Sequence, residues 1–108
     1  MLSQNDIKNR VLAFVDANIG CSPISIALDV APIADCQLDL PALLEELVTS
    51  GDLVELQYKT SNNYYSAILF PKGTSLDIRS SSGKTSILSN DKEIRSFNAK
   101  TAITIIRN

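Results

Sequence analysis

A chain of 108 residues with 44% hydrophobic and 20% charged residues suits one folded domain with a single core, and a chain disordered throughout is excluded. Its apolar runs fall far short of the roughly 20 residues that cross a bilayer, and Met1 to Asp6 carry no basic stretch ahead of an apolar one, so a cytoplasmic protein without membrane contact is expected. With no histidine and only Cys21 and Cys36 as thiols, neither a four-ligand zinc site nor a histidine-based triad can form, and no metal, cofactor or catalytic residue is expected. The two thiols read as small, part-buried residues of a reducing compartment, with a disulfide between them left open.

In chain order, the first helix is predicted over about Gln4 to Ala17, capped by Ser3 or Asn5, with Ile7, Val11, Phe14 and Val15 as its buried stripe. Gly20 ends that segment. Ser22-Pro23 starts a short second helix to about Val30, because serine accepts from the orphan amides and proline at the first position has no amide to leave unsatisfied. Ile24, Ala27 and Val30 are expected to face inward, and Ala31-Pro32 breaks the helix.

The third helix follows a turn over 33–38 and carries Leu40, Leu43, Leu44, Leu47 and Val48 on one face. Asp39 is its expected cap, Leu38 and Leu43 form a hydrophobic staple, and Gly51 supplies the left-handed stop. Periodicity then switches to two: Val54, Leu56 and Tyr58 alternate with Glu55, Gln57 and Lys59, and Tyr64 to Phe70 returns after the turn Thr60-Ser61-Asn62-Asn63. One core is expected to hold Leu44, Leu47, Val54, Leu56 and Ile68 together with Val11 and Phe14.

Beyond Gly73 the pattern weakens. Thr74 to Ser89, with Ser80-Ser81-Ser82-Gly83 at its centre, reads as a partly ordered loop or linker, the alternative being a hairpin pairing Leu76-Ile78 with Ile87. Asn90-x-x-Glu93 resembles a capping box, and Ile94, Phe97, Thr101, Ala102, Ile105 and Ile106 suit a helical stripe, so a helix is predicted over Asp91 to Arg107 despite the β-branched run Ile103 to Ile106. Gly83-Lys84-Thr85 is not a phosphate loop, because the glycine required five residues earlier is Ile78.

Charge divides the chain. Residues 1–58 hold nine acids against two bases, a net of −7, whereas residues 59–108 hold eight bases against three acids, a net of +5. Such asymmetry points either to a polyanionic partner for the basic half or to a tail packed on acidic helices.

Over about residues 4–73, three helices followed by Leu-Leu-Glu-Glu-Leu-Val-Thr-Ser-Gly-Asp-Leu-Val-Glu-Leu and a returning strand resemble the winged-helix variant of the helix-turn-helix. The resemblance implies an α+β fold: a winged-helix domain over 1–73, with 74–108 as a basic, serine-rich linker and C-terminal segment that packs on it or mediates dimerisation. It also implies a DNA-binding regulator or accessory factor, of the kind found in phages and mobile elements, whose third helix enters the major groove. Here that helix shows Pro41, Ala42, Glu45, Glu46 and Thr49, with no Arg, Lys, Asn or Gln for bidentate base contacts. The phosphate-contacting candidates are therefore in the wing and beyond it: Lys59, Asn62, Asn63, Lys72, Arg79 and Lys84. The alternative is a protein-interaction module, in which Asp39, Glu45, Glu46 and Glu55 meet a basic protein partner or the hairpin edge pairs with a partner strand. A homodimer through the C-terminal segment fits either reading.

Overall fold

The computed structural model describes residues 3–33, 38–59, 65–81, 83–98 and 102–107, as an α+β fold of three helices and two antiparallel three-stranded sheets. Helix α1 spans Gln4–Ala17 and begins with a reciprocal capping box, in which Ser3 Oγ accepts from the Asp6 amide while the Asp6 carboxylate accepts from the Ser3 amide. Helix α2, Pro23–Val30, is capped by Ser22, whose Oγ accepts from the Ser25 amide. Helix α3, Leu40–Thr49, is capped by Asp39, with Leu38 packed on the cluster that holds Leu43. Gly51, at φ +87°, ends it as expected.

One inward face is corrected. On α2 the buried residues are Ile26 and Val30, while Ile24 and Ala27 lie exposed. Two residues turn a helix by about 200°, so in Ile24-Ser25-Ile26-Ala27-Leu28 the alternating aliphatics fall on opposite faces and only one of them can reach the core.

Strands β1 (Leu53–Lys59) and β2 (Tyr65–Pro71) form the expected hairpin, Leu53 opposite Pro71 and Lys59 opposite Tyr65. A further strand, β6 (Ala102–Arg107), pairs with the other edge of β1, giving the order β2-β1-β6. The second sheet, β3-β4-β5, comprises Leu76–Ser81, Lys84–Ser89 and Lys92–Asn98.

The described elements of the C-terminal third are therefore strands, not linker and helix. Leu76 to Ser81 forms the hairpin that competed with the loop reading, with Ile78 opposite Ile87. Asn90 and Asp91, at φ 52° and 69°, are the left-handed pair of a two-residue turn joining β4 to β5, and not the start of a helix. Ile94 and Phe97 mimic a helical i, i+3 pair, yet both pack on the same core because β5 carries a bulge: Ile87 opposes Arg95 and Leu88 opposes Glu93, leaving Ile94 as the extra residue. The β-branched run from Ile103 pairs along β1, where branched side chains suit a pleated surface.

Among the described residues there are two clusters of buried side chains, not one. The helices enclose Val11, Leu44 and Leu47, with Phe14 partly buried against them, and Leu53 and Leu69 reach this cluster from the base of the hairpin. Val54, Leu56, Tyr58, Ile68 and Phe70 point the other way and close on Ile87, Ile94 and Phe97 of the second sheet. The register explains the split: Leu53 and Leu69 share the helix-side face with Glu55 and Gln57, so that face is apolar only at its base. The Tyr58 and Phe97 rings meet at 4.6 Å, and an ideal Cβ on Gly20 would lie 2.8 Å from Ile94 Cγ2, so the turn between α1 and α2 is tight against β5.

Candidate functional site

The basic residues nominated for phosphate contact are dispersed. Lys59 ends β1 and Lys72 follows β2, at opposite ends of a hairpin whose six intervening steps span ~20 Å. Arg79 donates to Asp77 Oδ2 at 3.0 Å, and Lys84 Nζ lies 3.4 Å from Glu93 Oε1. The Glu93 carboxyl is held below the usual carboxylate range by a hydrogen bond from Ser86 and then by Lys84. Lys59 and Lys84 come to the same end of the molecule, because Tyr58 meets Phe97 and Phe97 pairs with Thr85. Asn62 and Asn63 lie outside the described residues, as does Cys36, whereas Cys21 is a free, buried thiol whose pKa burial raises.

The four nominated acids separate by role. Asp39 accepts from the Ala42 amide at 3.1 Å, a capping contact that fixes the start of α3. Glu46 takes Lys8 of α1 at 2.6 Å. Glu45 and Glu55, from α3 and β1, are brought together on the lining of one groove of about 360 Å³. Among the described residues, its remaining lining is Pro23, Ile24, Ala27, Leu40, Pro41 and Leu44, all apolar. A second groove of about 370 Å³ shares Pro23 and Ile24 with it and continues to Gln57, Ser66 and Ala67. Among the described residues no lysine or arginine lines either groove, and Arg107 of β6 pairs opposite Glu55 across the strands.

Beside these grooves α2 presents a bare aliphatic stripe. Ile24 is 74% exposed and Leu28 72% exposed, one helical turn apart, with Ala27 and Ala31 exposed alongside. The one charged residue of α2, Asp29, is turned to α1: Arg10 Nε donates to Asp29 Oδ2 at 2.9 Å and Arg10 Nη2 to Asp29 Oδ1 at 3.2 Å. This fork holds the Asp29 carboxyl below its ordinary range. Inward assignment of Ile24 hid this surface, although the alternation Ile24, Ile26, Leu28, Val30 already puts aliphatics on both sides of a short helix.

Among the described residues no group of three acids or thiols could hold a metal ion, and no helix is long and apolar enough to cross a membrane. No protein-family model, curated protein or solved structure matches the chain.

Proposed function

We infer that the chain is a non-enzymatic protein-interaction domain, built on a winged-helix core and docking its partner on the face shared by α2 and α3. The carrying observation is the exposed pair Ile24 and Leu28 beside an apolar groove. Full burial of one such side chain is worth about 1.5–3 kcal/mol, so a partner that covers both gains several kcal/mol from them alone. The winged-helix assignment draws on the element order and on the isolated bridge between Cys21 and Leu69, which ties the stretch between α1 and α2 to the second hairpin strand. Its departure from a free wing is the second sheet, which covers one face of that hairpin.

The test is affinity capture from source-cell extract with the wild-type chain and with the double variant Ile24→Asp/Leu28→Asp. Both sites are exposed, so the fold should hold by circular dichroism while the captured partner is lost. Capture of the same proteins by both forms would remove the docking face. A second reading, duplex DNA bound at the Lys59 and Lys84 end, rests on their shared location. It expects a complex in mobility titration at low salt that weakens steeply with added salt and on Lys59→Glu/Lys84→Glu; no complex at low salt ends it.

A further inference from the structure

We propose that the partner of this domain supplies an extended segment, which adds as an antiparallel strand to the outer edge of β2 at Ala67. This deepens the interaction reading and rests on it. Hydrogen bonds at Leu69 fix which way the β2 backbone faces: Leu69 N donates to Cys21 O at 2.8 Å and Gly20 N donates to Leu69 O at 2.9 Å, both on the side away from β1. Alternation then turns the amide and carbonyl of Ala67, and the carbonyl of Pro71, outward as well. At Pro71 the edge is closed, since proline has no amide and its carbonyl accepts from the Thr74 amide at 3.2 Å and from Thr74 Oγ1 at 2.7 Å. At Leu69 the chain closes the edge with its own Gly20 and Cys21, but Pro23 starts α2 and draws the chain away before it can pair with Ala67. Among the described residues nothing bonds the outward groups of Ala67.

Backbone donors and acceptors held at strand spacing are matched by another strand, which identifies the occupant as polypeptide in extended form. It takes the antiparallel sense that Cys21 already has. Ala67 shares the helix-side face with Leu69, so the side chain set opposite Ala67 also points that way, into the groove of about 370 Å³ that Ser22, Pro23, Ile24 and Ala67 help to line. The small methyl of Ala67 leaves that space to the incoming residue, and Ile24, 74% exposed, gives it an apolar wall. An aliphatic residue is expected at this one position. A second copy of the chain fits less well, because a two-fold pair of β2 strands centred on Ala67 would set Tyr65 of one copy opposite Leu69 of the other, where Gly20 and Cys21 already hold the outward groups.

The probe is a random linear peptide library displayed on phage and selected against the full chain, followed by fluorescence anisotropy with the enriched peptides. N-methylation of their backbone amides one at a time should lower affinity at least about tenfold at alternate positions and leave the intervening ones unchanged, because only every second amide of an added strand faces β2. Ala67→Pro should cause a similar loss, since it deletes one outward amide and no bond to β1, and Pro71 already stands at an outward position of the same strand. Should that variant not fold, the methylated peptides carry the test with the protein untouched. Peptides that tolerate every methylation, or that bind Ala67→Pro as well as wild type, overturn the added strand; if they still fail on Ile24→Asp/Leu28→Asp, the docking face stands without it. Alternating sensitivity with no effect of Ile24→Asp/Leu28→Asp supports the strand and removes the α2 stripe from the docking face. No enrichment overturns both. A dimer in sedimentation equilibrium that Ala67→Pro dissolves would make a second copy the occupant and overturn the proposal.

Discussion

At the scale of single residues, Gly20 and Gly51 both adopt left-handed backbone, at φ +80° and +87°, but their surroundings differ. Around Gly51 an added Cβ meets nothing within 4 Å, whereas at Gly20 it would press on Ile94 at 2.8 Å and reach Phe70 at 3.8 Å. Gly51→Ala should cost about 1–2 kcal/mol, the left-handed strain alone, and Gly20→Ala should cost more, on the order of 3 kcal/mol, because β5 or the α1–α2 turn must also shift. Urea titrations of the two variants check the order; equal losses would mean that β5 yields freely at Ile94. The glycines are plain in the sequence as helix stops. That one of them is also a packing surface for a strand about seventy residues later depends on a contact no local pattern encodes.

At the scale of elements, α2 carries two stripes of nearly equal hydrophobicity and opposite fate. Ile26 is fully buried and Val30 nearly so, while Ile24 and Leu28 stand in solvent. Ile26→Ala should destabilise by about 2–5 kcal/mol through the cavity it leaves, and Leu28→Ala should change stability by no more than about 0.5 kcal/mol. Thermal and chemical denaturation measure both; a large loss for Leu28→Ala would show that the stripe supports the fold and does not await a partner. The caps of all three helices were legible because Ser3, Ser22 and Asp39 each act within three residues of their own position. The face of α2 was not legible, since an eight-residue helix with aliphatics on both sides gives two valid stripes and only the position of α1 and α3 chooses between them.

At the scale of the whole molecule, the second sheet turns the hairpin from a wing into an inner layer. A chain ending after Gly73 would lay bare Val54, Leu56, Tyr58, Ile68 and Phe70, a continuous apolar face. Residues 1–73 expressed alone should therefore aggregate or lose cooperative unfolding, as size-exclusion chromatography and thermal melts would show; a stable, soluble monomer of that length would show that these residues fold without the second sheet. The sequence by itself determined the three helices, their caps and the first hairpin, because those features rest on neighbours a few residues apart and on alternation within one strand. Tertiary structure alone decided that Lys92–Asn98 and Ala102–Arg107 are strands, since bulges at Ile94 and between Gln57 and Tyr58 break the period a reader would follow, and pairing with distant strands satisfies those backbone groups. It alone also decided which acids meet: Glu45 and Glu55 stand ten positions apart on a helix and a strand, and only the fold of α3 back on β1 brings them to one groove.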